Sequence, residues 1–372
     1  MKLLVVSNAP IIYKKNHWFA YSPYVTEIEI WAKYADEIAF CCPEWKQDGG
    51  LLVSEIPFKI SKTFLLSDFN IKSFSNGIQS FFKIFYNFFI LFKAMFWADH
   101  IHLRCPGNVG LLASVVQLFF PHKIKTAKYA GNWDPKANAP ISYRLQKYIL
   151  SHTFLTRNMQ VLVYGEWKNN TKNIKPFFTA TYKESNKEEV LSRNLQGIIK
   201  IMFVGTLSIG KRPLYAIQLV ERLLKNGFKI EFSIFGEGTE RKNIEEYILK
   251  NELQKSVTLH GNKTTPIIQK AYQESHFVLL PSQSEGWPKV IAEGMFWGCV
   301  PIATSISCVP SMLDYGNRGL LLQVDLEKDA KTTEGLINNE ELYQKMMAHG
   351  VVWSRKYTLD YFEQEIKLLL QL

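Results

Sequence analysis

Five cysteines in 372 residues are too few for a disulfide scaffold, and Cys41, Cys42, Cys105, Cys299 and Cys308 show no C-x-x-C spacing. Their odd number and scatter read as reduced thiols. No Cys/His cluster has the spacing of a zinc site, so none is expected. Long apolar runs are missing as well. The most apolar segment, Ser80 to Trp97, has nine uncharged residues in a row at most, Ile84 to Phe92. A bilayer span needs about 20, so a transmembrane helix is rejected. The run Leu3 to Val6 is four residues long; it reads as a buried first strand and lacks the core of a signal peptide. Neither a short repeat nor a low-complexity tract is present. Acidic residues are under-supplied: 34 Asp+Glu stand against 44 Lys+Arg, a net charge of +10.

What is there is ordinary in bulk. Hydrophobic content of 47% and charged content of 21% fit a globular protein and exclude a disordered, collagenous or coiled-coil chain. At roughly 100–200 residues per domain the length implies two domains. The charge is unevenly placed. Residues 1–196 hold 24 Lys+Arg and 14 Asp+Glu, whereas residues 197–372 hold 20 of each. The whole excess therefore lies in the first half, which suggests an anionic partner there.

Short apolar runs alternate with helical patterns in both halves. Strands are predicted at 2–7, 37–42, 100–103, 123–129 and 160–164, with helices at 24–34, 71–97, 109–119 and 140–150. Residues 165–196 lose the rhythm and read as a linker. It restarts with strands at 200–204, 230–235, 257–260, 277–281, 300–304 and 319–324, helices between them, and a helical tail over 340–372. Such βαβα alternation implies parallel sheets covered on both faces. Two such sheets predict a ligand site in a cleft beyond their strand ends. In helix 71–97, Ser75, Gln79, Lys83 and Asn87 recur at i+4 and form one polar stripe among phenylalanines. This helix packs on the sheet, rests on a membrane, or does both with different faces.

The second half carries the chemistry-bearing loops. A strand runs into Gly205-Thr206-Leu207-Ser208-Ile209-Gly210-Lys211-Arg212-Pro213, a glycine-flanked loop with two cations that opens a helix. Backbone N–H groups and the helix dipole favour an anion there, although a solvated turn has the same pattern. The next turn is Phe235-Gly236-Glu237-Gly238-Thr239, short of a dinucleotide fingerprint. The third loop is Pro281-Ser282-Gln283-Ser284-Glu285-Gly286-Trp287-Pro288-Lys289-Val290, continuing to Glu293 and Gly294. Pro288 fits the first position of a helix whose free N–H groups can hold a diphosphate. Glu285 and Glu293, eight residues apart, either hold hydroxyls or serve as a helix cap and a surface charge.

These three loops, in this order from Met202 to Val324, resemble the nucleotide-binding domain of retaining glycosyltransferases of the GT-B fold, family 4 (group 1). The family's E-x7-E pair matches Glu285 and Glu293. The first half is similar only in pattern. The resemblance implies an α/β GT-B fold: two Rossmann-like domains with parallel sheets facing across a cleft and a C-terminal helix crossing back to the first. The acceptor-binding domain would span 1–190, with helix 355–372 packed on it, and the nucleotide-sugar-binding domain 197–354. Glu285 and Lys211 are the implied catalytic pair. Lys211 would contact the donor diphosphate, Glu285 the donor hexose and Glu293 the ribose. Gly205, Thr206, Arg212, Gly236, Gly238, Gly286, Trp287, Pro288, Lys289 and Val290 would complete the donor site, the Gly236–Gly238 turn framing the base.

The chain also departs from the pattern. Thr206 stands where the family often has arginine, Lys289 where a small or apolar residue is usual, and Gly294 where alanine is common. The middle-strand histidine of many relatives is missing near Gly131. His102, Arg104, Asn132 and Trp133, with Asp134 beside them, are the acceptor-side candidates. His102 is equally a core histidine by its alternation with Ile101 and Leu103. The loop from Pro10 to Tyr21, with Lys14, Lys15, His17 and Trp18, is a further candidate for acceptor or membrane contact.

The implied reaction moves a hexose from a nucleoside diphosphate sugar to a glycan or lipid-linked acceptor in surface polysaccharide assembly. No metal or other cofactor is expected, since lysine can serve the diphosphate. The alternatives are a nucleotide-sugar epimerase or phosphorylase on the same fold and an inactive nucleotide-sugar binder. Nucleic acid is not an expected partner. An anionic membrane surface is, with the chain cytoplasmic and peripheral on the inner face of the cytoplasmic membrane.

Overall fold

A computed structural model of the chain describes residues 1–49, 52–68, 77–168 and 170–370, the side chains of 77–81 apart. The opening of the helix expected at 71–97, with Lys72 and Ser75, lies outside the described residues, as does the Gln79 side chain. The chain forms two compact units, Met1–Phe177 with Glu363–Leu372, and Phe178–Phe362. The division falls inside the polar stretch 165–196. That stretch is not all linker: it contributes a strand to the first unit, and Phe178 onward packs with the second.

The first unit comprises β1 (Lys2–Val6), β2 (Ile12–Lys14), β3 (His17–Tyr21), α1 (Ser22–Ala32), β4 (Glu37–Pro43), β5 (Val53–Glu55) and β6 (Lys62–Leu66). It continues with α2 (Gly77–Trp97), β7 (His100–Cys105), α3 (Asn108–Val116), β8 (Ile124–Tyr129), α4 (Ile141–Ser151), β9 (Met159–Tyr164) and β10 (Ile174–Phe177). Seven strands make a parallel sheet in the order β10-β9-β8-β7-β1-β4-β6. Leu3 to Val6 are fully enclosed, as a continuous apolar run in a doubly covered parallel sheet should be.

The two faces of that sheet differ in chemistry. Ile101, Leu103 and Cys105 of β7 join a core with Leu91, Met95 and Ala113 of α2 and α3 and Leu150 of α4. On the opposite face His102 and His100 meet Trp31 of α1, with ring centroids 4.3 and 6.0 Å apart. The end of the chain adds to this unit: Glu363 holds Lys33 (2.9 Å) and Tyr34, and Glu365 holds Lys175 (2.5 Å).

The segment from Pro10 to Tyr21 is no loose loop. Lys15 and Asn16 both take positive φ, 51° and 64°, the twist that a two-residue hairpin requires. Strands β2 and β3 pair antiparallel across it, and β5 joins β3. No alternation long enough to announce a strand marks these short pieces in the sequence.

The second unit comprises β11 (Ile198–Val204), α5 (Pro213–Lys225), β12 (Lys229–Phe235), α6 (Arg241–Lys250), β13 (Val257–Gly261), α7 (Thr265–Glu274) and β14 (Phe277–Leu280). After it come α8 (Lys289–Phe296), β15 (Val300–Thr304), α9 (Val309–Met312), β16 (Leu320–Leu322), α10 (Leu326–Ile337) and α11 (Glu340–Ser354). The last helix, α12 (Leu359–Leu369), closes the described chain. Six parallel strands are ordered β13-β12-β11-β14-β15-β16. Helix α5 shows why propensity and pattern agree here: Pro213 opens it, and Ala216, Ile217, Val220 and Leu223 share one buried face.

Gly294 is where α8 meets the sheet. A Cβ at this position would lie 2.6 Å from Val278 Cγ1 of β14 and 3.5 Å from Cys299 Cβ. The glycine is thus a packing requirement of this chain, beyond its mild cost to a helix. Gly294→Ala should lower stability by about 1 kcal/mol, overpacking outweighing the helix gain. Adding Val278→Ala should recover part of that loss, and urea unfolding of the two single variants and the double variant measures the coupling.

Candidate functional site

In the second unit the chain winds one way from β11 through β12 to β13, and the other way from β14 through β15 to β16. The reversal lies between β11 and β14, and an open α/β sheet binds ligands at the carboxyl ends of strands that part in this way. The loops leaving those two strands are the first and third of the sequence motifs. They are joined backbone to backbone, with Gln283 N–H donating to Gly210 O at 2.8 Å. Side chains join them as well. Lys211 Nζ donates to Glu285 Oε1 at 2.5 Å, the carboxylate almost enclosed and the lysine partly open. Arg212 follows at positive φ (52°), immediately before Pro213 opens α5, and its guanidinium lies 3.5 Å from Pro281 O. Thr206 is exposed on the same loop.

The glycines of the second motif serve the neighbouring loop. A Cβ on Gly236 would fall 1.9 Å from Gly205 O, and one on Gly238 would fall 2.3 Å from Leu207 O. Gly205 N–H donates to Phe235 O and Leu207 N–H to Glu237 O, both at 2.9 Å. The space these glycines leave is filled by the first loop's backbone. Their first task is to seat two strand-end loops against each other. Beside them the ring of His260, at the end of β13, stacks on Phe235 with centroids 4.5 Å apart.

Glu293 sits in the first two turns of α8 and is held on both oxygens. Thr181 Oγ1 donates to Oε1 at 2.6 Å and Tyr272 OH to Oε2 at 3.1 Å. Burial first, and the carboxylate second, push the Tyr272 hydroxyl well up, so it stays a donor. A narrow recess lies here, lined by Thr179, Thr181, Lys289, Glu293 and Ser354. Pro288 stands immediately before the first helical residue, Lys289. The first amide of α8 to bond back is Ile291, to Pro288 O at 3.0 Å. Trp287 packs among rings, 6.0 Å from Trp353 and 5.5 Å from Tyr357. Gly286 O accepts from Cys308 Sγ at 3.0 Å, which ties the loop to α9. Thr181 and Tyr272 lie 112 and 21 residues from Glu293, and no local pattern points to either.

The first unit treats its candidates differently. His102 is fully enclosed in β7, its Nδ1 2.9 Å from Thr126 Oγ1, and burial holds it well below the ordinary histidine range. It is a neutral core histidine. Trp133 is a core residue too, edge-on to Tyr129 at 4.8 Å. Asn132 Oδ1 accepts from Asp134 N–H at 2.9 Å and shapes its own turn. Arg104 donates to Glu27 Oε1 at 2.7 Å, lies over the Tyr24 ring, and shares Glu27 with Lys128, whose Nζ is 2.8 Å from Oε2. His102 and Trp133 are thus enclosed, Arg104 is committed to Glu27, and Asn132 is half-buried. Glu27, which sequence reasoning passed over, organises the group. Among the described residues no cluster of three or more His, Cys, Asp or Glu side chains suits a metal ion.

Two parallel-sheet Rossmann-like units with this loop geometry define a GT-B fold. Comparison with known proteins agrees. Residues 186–350 match the family described as glycosyl transferases group 1, a stretch that lies within the second unit. An uncharacterized glycosyltransferase of Methanocaldococcus jannaschii is 32% identical over 128 residues, 34% of this chain and 36% of its own length. The alpha-D-kanosaminyltransferase of Streptomyces kanamyceticus is 26% identical over 161 residues, 43% of this chain and 42% of its own. The chain thus spans about a third to a half of the curated relatives it matches. A solved structure of Anabaena HepE in complex with UDP and glucose aligns with 100% of this chain and 99% of its own, with a TM-score of 0.70 at 12% identity. That likeness shows the fold.

The Glu27 group makes a prediction. Burial alone would raise its carboxyl, but the adjacent Arg104 and Lys128 hold it well below the usual carboxylate range. The stability it supplies is therefore present above the unfolded-state value of about 4.3 and is lost as pH falls from there toward the lower folded-state value. Glu27→Gln leaves two buried cations without a counter-charge. The variant should be less stable at pH 7 by about 3 kcal/mol. Its stability should also fall less steeply than the parent's below pH 5 or so, as followed by denaturant unfolding across pH.

Proposed function

We propose that the chain transfers a hexose from a nucleoside diphosphate sugar to a glycan or lipid-linked glycan acceptor with retention of configuration. Assembly of a surface polysaccharide, capsule or lipopolysaccharide, is the role we infer. The observation that carries the reading is the Lys211–Glu285 pair at the point where β11 and β14 part. A charged, half-open lysine held by an almost enclosed carboxylate is organised before a ligand arrives. The group 1 match over this unit and the sugar-transfer names of its relatives support the same reading.

The residues divide the work by charge. Lys211 and Arg212 offer two cations to the diphosphate, and the first amides of α8 add their dipole. Glu285 offers acceptor oxygens to hexose hydroxyls, and Glu293, clamped by Thr181 and Tyr272, to the ribose. In the transfer step the bond from the anomeric carbon to the diphosphate oxygen breaks while the acceptor hydroxyl attacks from the same face. Its proton passes to the departing phosphate oxygen. Lys211 and Arg212 neutralise the charge that develops there. Because these cations serve the phosphates, no metal is required.

Glu285→Gln keeps the side chain's shape and removes its charge. It should lower transfer by about 100-fold or more while leaving the thermal midpoint of the ligand-free protein nearly unchanged. Transfer at the parent rate would reject the assignment. A UDP-sugar panel read by thermal shift identifies the donor, since binding to the folded state raises the midpoint. Treatment with EDTA should leave the transfer rate unaltered, and loss of activity restored by Mg²⁺ or Mn²⁺ would reject the metal-free reading.

A further inference from the structure

The amphipathic pattern of α2 is turned the opposite way from that of an ordinary surface helix. Asn87, at the centre of its polar stripe, is fully enclosed: its Oδ1 accepts from Ser67 N–H and its Nδ2 donates to Ser67 O, both at 2.9 Å. Lys83 Nζ reaches Asp68 O at 3.1 Å. Lys83 and Asn87, the members of the stripe whose side chains are described, are therefore spent on the chain leaving β6, while Leu91, Ala94 and Met95 pack on the sheet. What remains for solvent is aromatic: Phe82, Phe85, Tyr86, Phe89 and Phe96, each between 48% and 73% exposed.

The neighbouring helices repeat this on the same side of the sheet. Ile141, Leu145 and Tyr148 of α4, at i, i+4 and i+7, are 48% to 74% exposed. Between α2 and α4, the stretch Asn108 to Pro121 has no charged residue. Phe119 ends it 60% exposed, its ring 6.0 Å from Phe88 and from Phe92 of α2. Exposed apolar groups at helical spacing on adjacent helices make a patch, which a monomer in water does not keep without use.

Charge identifies what covers it. Residues 77–165 hold ten Lys+Arg and two Asp+Glu, Asp99 and Asp134; Arg104 and Lys128 pair with Glu27 on the other face of the sheet, which leaves eight cations against two carboxylates. Lys93 of α2 and Arg144 of α4 are exposed among the aromatics. Lys123 Nζ lies 6.0 Å from the Phe96 ring centre, and the Arg157 guanidinium 4.6 Å from that of Phe154. A cavity of about 920 Å³ borders this edge, lined by His122, Lys125, Arg157 and Lys172 and by no carboxylate. Aromatic and basic groups mixed in this way match the interface of an anionic bilayer, where rings enter the headgroup region and cations meet phosphates. A second copy of the chain would bring two faces of the same positive sign together. No described helix is long and apolar enough to cross a membrane, so contact would be lateral.

We infer that the α2–α3–α4 face of the first unit docks on the surface of an anionic lipid bilayer, with the basic cavity seating a lipid headgroup phosphate. The inference deepens the proposed transfer reaction by naming a partner, and its test does not require activity. The full chain is sedimented with phosphatidylcholine vesicles, with and without about one part in three phosphatidylglycerol. Binding should be at least about tenfold stronger to the anionic vesicles and should weaken with salt. Phe85→Ser with Phe89→Ser, and Lys93→Gln with Arg144→Gln, should each lower it by about tenfold. Thermal midpoints and the donor-induced thermal shift should stay at parent values in both. Equal binding to neutral and anionic vesicles, or parent-level binding by both variants, overturns the inference. A dimer in solution that the phenylalanine variant dissolves, without vesicle binding by the parent, assigns the face to a second copy and overturns it too. Loss of donor shift in the parent would instead count against the transfer reading alone.

Discussion

Strands β11 and β14 lie side by side, but the chain leaves them toward opposite edges of the sheet, and the pairing of Lys211 with Glu285 depends on that parting. Helices that follow the two strands cannot both cover the space between them, so a crevice opens there. Two loops meet in it. Lys211 comes with one and Glu285 with the other, 74 residues later. In the crevice the carboxylate is almost enclosed, and an enclosed charge needs a partner. Lys211 is that partner when no ligand is present. In the proposed reaction a diphosphate would compete for the lysine and leave Glu285 to hydroxyl groups, so a single ion pair would both position the empty loops and give way to the ligand.

Close backbone approach is the means by which those loops keep their places. Gly236 and Gly238 let the turn after β12 touch the backbone at Gly205 and Leu207, and the two turns then bond to each other through main-chain groups. Gly294 does the same service between α8 and β14. Glu293 projects from that helix, and its two oxygens are fixed by Thr181 and Tyr272. A helix seated closely and a carboxylate held twice leave little freedom, which is what recognition of a sugar hydroxyl requires.

The first unit solves a different problem. One face of its sheet meets α1 with two enclosed histidines bonded to Thr126 and with Glu27 held by Arg104 and Lys128. The other is covered by helices of which α2 turns phenylalanines and a tyrosine outward and α4 turns Ile141, Leu145 and Tyr148 outward. The net positive charge, which as a total is compatible with many anions, lies in the first half of the chain, with Lys93 and Arg144 exposed on the same helices as those outer residues. Position thus gives it a meaning that its sum lacks.

Periodicity and composition by themselves determined the alternating α/β architecture, the doubly covered strands and the three loops of the second unit, because these are local properties of the chain. Lys211 and Glu285 stand out as candidates for the same reason: a glycine, a proline and a charge at a strand end are close in sequence. What the sequence could not decide was which way a polar stripe faces and which distant group satisfies a charge. Asn87 reads as part of a polar stripe of undecided orientation, and it is enclosed and bonded to the Ser67 backbone. His102 reads equally as ligand or core and is core, and Trp133 follows it. Gly294 reads as a weak helix residue and is a contact with Val278. In each case burial and partner are set by elements far away along the chain, and only tertiary packing brings them within the few ångströms at which hydrogen bonds, ion pairs and overlap act.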